Sequence, residues 1–335
     1  MRGRMSLIAV LLAVACSRHQ TEASPALRTR DGFVAGSGGA RLYYRFTGSG
    51  PDTVVVLHGG PGFNLEGLRP DLEPLGRNHV LLFYDQRGSG RSTLPDTLSL
   101  TLDAMVEDLE AVRRAFRIER LTLLGHSWGG GLAPMYAVRY PEHVARMVLV
   151  GPISPRGKPY LIQYDSNQAA RRDSAGNRRM AELDSLRGLS GGSPEICQEW
   201  TRGFLRGVTG VPEYAERIKG DYCAGSPDHL SRLSLVGRRV FESFTSTPDP
   251  LSYDWRPEVA RLSIPTLVIQ GTADPLPLAA SEEWVAVLPK ARLVVIPGAG
   301  HYPHAEMPDL FFPPVEVFLR GEWPAGSTGA VRSEP

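Results

Sequence analysis

Strong charge of one sign is missing from this chain of 335 residues. Its 37 Lys and Arg are matched by 36 Asp and Glu, which leaves a formal net charge of +1 at pH 7. Proteins that bind nucleic acid, or that adhere to an anionic bilayer, carry a strong positive field. We therefore expect no nucleic-acid partner and no electrostatic attachment to a membrane surface.

The composition also lacks the biases of disordered and fibrous chains. Hydrophobic residues make up 42% of the chain and charged residues 22%, and the 36 Gly and 28 Pro follow no repeat. Such a composition is that of a globular protein with an ordinary core. A chain of this length forms either two domains or one large domain with an insertion.

Long hydrophobic runs are absent too, but a short one lies at the N-terminus. Arg2 and Arg4 precede the apolar residues 7–15, and Cys16 follows at once. A basic start, an apolar stretch too short to span a bilayer and small residues before a cleavage site are typical of a secretory signal peptide. We predict that residues 1–15 are a signal peptide and that the mature chain is exported.

The residue after this run, Cys16, adds a second interpretation. Residues 12–16 resemble the lipobox of bacterial lipoproteins, in which the Cys is lipidated, although Ala13 stands where Leu is usual. Lipidation of Cys16 would place the protein on the periplasmic side of the outer membrane. Simple cleavage would leave a soluble periplasmic or secreted protein, and retention of the run would leave an uncleaved anchor. Membrane contact is expected only through this N-terminus.

Cysteine is scarce, with three residues in the chain. In an oxidising compartment Cys197 and Cys223 can form a disulfide, and two buried free thiols are the alternative. No C-x-x-C or H-E-x-x-H spacing occurs. We therefore expect no metal and no organic cofactor.

Apolar runs rich in β-branched residues alternate with helix-period segments. Six runs predict strands buried on both faces, namely residues 53–57, 79–84, 121–124, 147–150, 265–270 and 292–296. Two further strand-like segments, 32–35 and 41–46, flank a Gly-rich turn. Apolar residues at helical spacing occur in segments 102–116, 132–140 and 281–288. Strands that alternate with helices predict an α/β fold with a mostly parallel sheet covered on both sides.

This alternation stops in the middle of the chain. Residues 154–255 contain charged, helix-compatible segments without a strong strand run, so we predict a helical cap inserted between two consecutive strands of one α/β domain. The two parts of that domain are residues 31–153 and 256–321. A linker at residues 16–30 precedes them, and residues 322–335 are expected to form a disordered tail.

One motif predicts a nucleophile. The residues Gly125-His126-Ser127-Trp128-Gly129 follow a predicted strand and precede a helical segment. This context is that of a nucleophile elbow, in which a strained turn exposes a serine and flanking glycines let strand and helix approach. We predict that Ser127 is the catalytic nucleophile.

A serine nucleophile needs a general base and an acid that orients it. Asp274 and His301 each follow one of the last two predicted strands. The order Ser, Asp, His along the chain matches that of a nucleophile-elbow hydrolase. We predict that Asp274 and His301 complete the triad, and that the nearest competitor, His304, serves packing or lies at the surface.

Acyl transfer also needs hydrogen-bond donors for an oxyanion. Residues 58–62, His-Gly-Gly-Pro-Gly, follow the first long buried strand and can aim backbone N–H groups at the serine. We predict the N–H groups of Trp128 and Gly60 as the donors, with Gly59 as the alternative to Gly60. His58 is expected to hold this loop.

Five motifs occur in chain order: HGGPG at 58–62, DQRGSGRS at 85–92, GHSWGG at 125–130, GTAD at 271–274 and GAGH at 298–301. Together they resemble the α/β-hydrolase superfamily, and the first three resemble its prolyl iminopeptidase branch. The resemblance implies a doubly wound, mostly parallel sheet with a helical cap inserted between strands. It also implies a serine aminopeptidase that releases N-terminal proline, or a related residue, from short peptides through an acyl-enzyme intermediate.

In the prolyl iminopeptidase family, acidic residues that project from the cap bind the free imino group of the substrate. The resemblance therefore makes Glu199, beside Trp200, and Glu242, near Phe244, candidates for substrate binding. A solvated helix face is the alternative for each of these glutamates.

Two other functions remain open. The same triad suits a carboxylic-ester or lactone hydrolase, and a non-catalytic lipoprotein that binds a ligand through the same fold is a further alternative. The expected partner is a small peptide or another small-molecule substrate.

Overall fold

The computed structural model describes residues 30–189, 193–226 and 229–329. The predicted signal peptide, Cys16 and almost all of the predicted linker lie outside these residues. No helix within them is long and apolar enough to cross a membrane.

The described strands form one sheet. They are β1 (Arg30–Ala35), β2 (Arg41–Gly48), β3 (Thr53–Leu57), β4 (Val80–Tyr84), β5 (Leu121–His126), β6 (Val144–Val150), β7 (Thr266–Gly271), β8 (Ala291–Ile296) and β9 (Thr328–Gly329). Their order is β1-β2-β4-β3-β5-β6-β7-β8-β9. The strands from β4 to β8 pair in parallel, and the sheet is antiparallel only at its two edges. The predicted α/β fold with a mostly parallel sheet is confirmed.

The strand sequences explain how this sheet is buried. All six residues of β7 are buried, as are five of the six residues of β5. Side chains on both faces of a strand are buried only when helices cover both sides of the sheet. The continuous apolar runs therefore belong to the central parallel strands.

Helices cover the two faces of the sheet. The described α-helices, those of the cap included, are α1 (Arg69–Leu72), α2 (Leu102–Ala115), α3 (Trp128–Arg139), α4 (Tyr160–Ala170), α5 (Ser174–Leu189), α6 (Pro194–Val208), α7 (His229–Glu242), α8 (Arg256–Val259), α9 (Leu278–Val287), α10 (Pro303–Glu306) and α11 (Pro308–Leu319). Leu109 of α2, Tyr136 of α3 and Trp284 of α9 share one apolar layer. Leu72 of α1 and Phe311 of α11 belong to the layer on the other face.

Helices α4 to α7 lie between β6 and β7, in the interval predicted to form the cap. An isolated antiparallel β-bridge between Arg156 and Asp254 joins the two ends of this inserted segment. Within it, Cys197 of α6 and Cys223 form a disulfide, so the alternative of two free thiols is wrong.

The prediction of a disordered tail from residue 322 needs correction. Trp323 packs on Phe318 and lies 4.8 Å beneath the guanidinium of Arg292. Strand β9 then pairs with β8, which otherwise would present an unpaired edge. The packing of Trp323 and the pairing of β9 with β8 thus order residues 322–329, although their composition predicts disorder. The tail's last six residues, 330–335, lie outside the described residues.

Candidate active site

The predicted catalytic residues lie beyond the C-terminal ends of parallel strands. Ser127 comes directly after β5 and before α3, with φ 55° and ψ −117°. A non-glycine residue rarely takes a positive φ because its Cβ crowds the backbone. The tight strand-to-helix turn holds Ser127 in this strained conformation, on the wall of a cavity that His301 also lines.

Two glycines make this turn possible. A Cβ on Gly125 would lie 2.2 Å from the carbonyl oxygen of Gly129. A Cβ on Gly129 would lie 2.2 Å from the carbonyl oxygen of Leu57 in β3. Both contacts are with backbone atoms, which cannot rotate away. The close approach of β5, α3 and β3 therefore requires glycine at both positions of the motif.

Asp274 and His301 follow β7 and β8 and are both buried. Nδ1 of His301 lies 2.8 Å from Oδ2 of Asp274. The other carboxylate oxygen of Asp274 accepts a hydrogen bond from the amide of Leu276 at 2.8 Å. With Nδ1 bound to the carboxylate, Nε2 of His301 is the nitrogen free to exchange a proton with a serine.

A third glycine supports this pair. Gly151 directly follows β6 with φ 49°, and a Cβ there would lie 3.1 Å from Nδ1 of His301 and 3.2 Å from Oδ2 of Asp274. Any side chain at this position would press on the acid–base hydrogen bond. The sequence prediction missed Gly151, although a glycine directly after a buried strand was a usable sign.

The predicted oxyanion donors lie beside the serine. Trp128 is the first residue of α3, so its amide has no acceptor within the helix. Gly60 lines the same cavity as Ser127, and a Cβ on its neighbour Gly59 would lie 3.1 Å from Cβ of Ser127. The loop therefore packs against the nucleophile, with Gly60 at the cavity.

A hydrogen-bond network orients this loop. The amide of Gln86 donates to Nε2 of His58 at 3.0 Å, so the proton of the neutral ring is on Nδ1, which lies 2.9 Å from the carbonyl oxygen of Gly59. In a trans peptide the N–H of Gly60 points opposite to that carbonyl. The side chain of Gln86 also accepts from Nε1 of Trp128 at 2.7 Å and donates to the carbonyl oxygen of His58 at 2.9 Å. Gln86, which the sequence prediction did not single out, thus links both predicted donors.

The cavity above Ser127 has a volume of about 390 Å³, within the range of small-molecule sites. Its wall is mainly apolar and includes Phe63, Ile153, Leu161, Phe204, Phe241 and Leu251. Within the described part of the chain, no cluster of three or more His, Cys, Asp or Glu side chains could hold a metal ion. The geometry is that of a serine-based site beneath a cap.

The sequence profile of the alpha/beta hydrolase family matches residues 54–313. This chain belongs to the α/β hydrolase family. It is 30% identical over 277 residues to a proline iminopeptidase of Lactiplantibacillus plantarum, covering 78% of this chain and 91% of that protein. It is 24% identical over 303 residues to a proline iminopeptidase of Heyndrickxia coagulans, covering 86% and 98%. A thermophilic esterase from Thermogutta terrifontis has a similar fold, with a TM-score of 0.62 and 22% identity, covering 87% of this chain and 98% of that chain.

The α/β hydrolase does not place the two candidate cap glutamates in its cavity. Glu199 lies on the outer face of α6, where both its carboxylate oxygens accept hydrogen bonds from Arg179 at 2.7 Å. Glu242 ends α7 and pairs with Arg239 at 3.2 Å. Amphipathic helices turn their apolar residues inward, as α6 does with Phe204, so these glutamates face solvent. Neither of the two predicted substrate-binding glutamates therefore lines the cavity beside Ser127, and their exposure matches the alternative of a solvated helix face.

One cap carboxylate does line the cavity of the α/β hydrolase. Asp165 of α4 follows Tyr164, which also forms part of the wall. The sequence prediction missed Asp165, because a single acidic residue in a polar helix gives no sign of the direction in which it points.

Three histidines near the site are buried in their neutral form. Burial lowers the pKa of His58 to about 4 and that of His304 to about 3, and it lowers the pKa of His126 well below its usual value. Unfolding returns these groups to an ordinary pKa near 6.5, so the unfolded chain binds more protons below that pH. The free energy of unfolding of the α/β hydrolase should therefore fall as the pH falls from about 6.5 to 4. His58 alone accounts for about 3 kcal/mol of that loss.

Replacing His304 with phenylalanine should reduce this acid sensitivity. Neither ring nitrogen of His304 has a hydrogen-bond partner within the described residues, and the ring packs against Tyr302 and Phe311. Thermal unfolding at pH 7.5 and pH 4.5 measures the effect. We expect a smaller drop in Tm for His304→Phe than for the wild type, with pH 7.5 as the reference at which all three histidines are neutral. An equal drop in both proteins would contradict the assignment.

Proposed function

We propose that this α/β hydrolase is a serine aminopeptidase that releases N-terminal proline, or a related unblocked residue, from short peptides. The observation that carries the proposal is the placement of Asp165, the one carboxylate among the described residues that line the cavity. A cationic amine attached to a compact apolar side chain suits a site with one acidic group on an apolar wall. The two relatives named proline iminopeptidase support the same substrate class.

In the proposed acylation step, Oγ of Ser127 attacks the carbonyl carbon of the first peptide bond while its proton passes to Nε2 of His301. The oxyanion accepts hydrogen bonds from the amides of Gly60 and Trp128. His301 then protonates the leaving nitrogen as the C–N bond breaks, which leaves the acyl group on the serine. Asp274 holds the ring of His301 and stabilises its charged form.

In the proposed deacylation step, a water molecule attacks the ester of the acyl-enzyme. Its proton passes to His301, and the same two amides stabilise the second oxyanion. Return of that proton to Oγ of Ser127 releases the free amino acid and regenerates the enzyme.

The surroundings of Asp165 fit an amine ligand. Among the described residues, no Lys, Arg or His forms an ion pair with Asp165. Asp165 lines the cavity but is also exposed to solvent. Desolvation by its protein neighbours still raises the pKa of this carboxyl, and a bound ammonium group would lower that pKa again and favour the charged form. An ion pair between Asp165 and the N-terminus would hold the substrate so that only its first peptide bond reaches Ser127.

We expect Asp165→Asn to lower kcat/KM for a proline arylamide by about 10- to 100-fold, because a charge-assisted hydrogen bond between the carboxylate and the bound amine is lost. Most of the change should be in KM. Turnover of a short acyl ester without an amine should stay within about threefold of the wild type, because such a substrate never used the carboxylate.

The matched controls are Glu199→Gln and Glu242→Gln, which remove cap carboxylates that face solvent. Both should leave the kinetics with the arylamide unchanged. An equal effect of Asp165→Asn on the ester and the arylamide would exclude the proposed amine site.

A second candidate function is the hydrolysis of carboxylic esters or lactones. The apolar wall, with Phe63, Phe204 and Phe241, would also accept an acyl chain. Wild-type enzyme that hydrolyses short acyl esters and leaves the proline arylamide intact would establish this alternative over the peptidase.

A further inference from the structure

A fully buried carboxylate stands next to the catalytic histidine. Glu306, the last residue of α10, has no exposed surface. Its Oε2 accepts a hydrogen bond from the amide of Gly300 at 2.9 Å, and its Oε1 accepts one from the amide of Tyr302 at 2.9 Å. These two residues flank His301, so Glu306 holds the catalytic loop from both sides.

The same carboxylate reaches the cap. Oε2 of Glu306 also accepts the amide of Gly210 at 2.7 Å, just after α6. Beside this contact, the amide of His301 donates to the carbonyl oxygen of Val208 at 2.9 Å. A Cβ on Gly300 would lie 2.4 Å from the amide nitrogen of Gly210. The catalytic loop and the cap segment 208–210 therefore meet backbone to backbone.

An arginine of the cap makes a parallel contact with the loop of the catalytic acid. One guanidinium nitrogen of Arg171, which directly follows α4, donates to the carbonyl oxygen of Thr209 at 2.8 Å, and another donates to the carbonyl oxygen of Ala273. Ala273 directly precedes Asp274. Segment 208–210 is thus bonded to the loops that carry both the base and the acid.

We propose that Glu306 is a positioning residue that couples the seating of cap segment 208–210 to the orientation of His301. The carboxylate of Glu306 accepts hydrogen bonds from all three backbone N–H groups at once. In a glutamine side chain one of the two oxygens is replaced by an NH₂ group, which cannot accept a hydrogen bond, so at least one backbone N–H would lose its partner. Loss of that arrangement lets the imidazole move relative to Ser127, and a shift of about 1 Å in a catalytic group can cost about 100-fold in rate. The inference rests on the proposed serine chemistry but holds for an amide or an ester substrate.

The fold offers a matched control for a merely structural role. Asp71 of α1 is also a buried carboxylate that joins the core to the cap through backbone amides. It accepts hydrogen bonds from the amides of Lys219 at 3.0 Å and Gly220 at 3.2 Å. Asp71→Asn therefore loosens the cap through the same chemistry, away from the catalytic loop.

The experiment compares Glu306→Gln with Asp71→Asn at a temperature where both are folded, with a short acyl ester as substrate. We expect Glu306→Gln to lower kcat by about 10- to 100-fold with KM within about threefold. The rate of covalent labelling by a fluorophosphonate should fall in parallel. Asp71→Asn should lower Tm but keep kcat and the labelling rate within about threefold. Equal kinetics for the two variants would overturn the proposal, whereas a wild type that is not labelled at all would instead refute the proposed function.

A measurement on the wild-type protein covers the case in which Glu306→Gln does not fold. Hydrogen exchange should show segments 208–210 and 298–302 protected to the same degree, because their amides share one carboxylate. Covalent labelling of Ser127 should slow exchange in both segments together. Exchange of segment 298–302 at the rate of an unprotected loop, or independently of segment 208–210, would overturn the coupling.

Discussion

Replacement of Ser127 by alanine is expected to lower kcat by about 10⁴- to 10⁶-fold, for arylamide and ester substrates alike. Without Oγ no acyl-enzyme forms, and only binding and the oxyanion donors remain to assist attack by water. The cavity itself keeps its shape, so substrate affinity should change little. Steady-state kinetics with both substrates measures the loss, and a binding assay tests the retained affinity.

A fluorophosphonate probe separates this expectation from the non-catalytic alternative. The wild type should form one covalent adduct, and Ser127→Ala should form none. Ser89→Ala is a suitable control, because Ser89 is fully buried outside the cavity and its hydroxyl has no partner among the described residues. This control should keep full activity. A wild type that resists the probe would favour a protein that binds a ligand without hydrolysing it.

Replacement of Gly125 by alanine is expected to destabilise the protein by about 4 kcal/mol or more, or to prevent folding. The added methyl group would lie 2.2 Å from the carbonyl oxygen of Gly129. Relief would require α3 to move away from β5, and both elements are packed in the core. The yield of soluble protein and the midpoint of denaturant unfolding measure the effect.

Gly237→Ala provides the comparison, because Gly237 lies inside α7 and an added Cβ would make only an ordinary contact, 3.4 Å from the carbonyl oxygen of Pro61. Alanine favours a helix over glycine by about 1 kcal/mol, so this variant should be slightly more stable than the wild type. Stability of Gly125→Ala within 1 kcal/mol of the wild type would mean that the turn tolerates a side chain.

The sequence predicted the sheet well because its central strands are buried on both faces. Residues 54–57 and 267–269 are entirely apolar, as expected for strands of a parallel sheet that is covered on both faces. Topology then placed Ser127, Asp274 and His301 at one edge, since each residue follows a parallel strand. The hydrogen bond between Asp274 and His301 fits that prediction.

The cap was much harder to predict in detail. Its helices carry charges on several faces, so the side on which a carboxylate lies depends on packing against the core. Glu199 and Asp165 are both acidic residues in cap helices, yet only Asp165 lines the cavity. The role of Glu306 could not be predicted from the sequence for a different reason. Its partners are backbone amides, which every residue except proline has, so the identities of the neighbouring residues do not indicate the contact.

The position of the cap in the chain has a consequence for protein synthesis. Val150 at the end of β6 pairs with Ile269 of β7, and every cap residue lies between these two strands. A nascent chain that ends within the cap already contains Ser127 and both oxyanion donors, but it lacks Asp274 and His301. Parallel pairing across so long a connection forms late and slowly in folding. A hydrolase built in this order acquires its general base only after the whole cap has been translated, so a chain that stops before His301 cannot hydrolyse substrates through the triad.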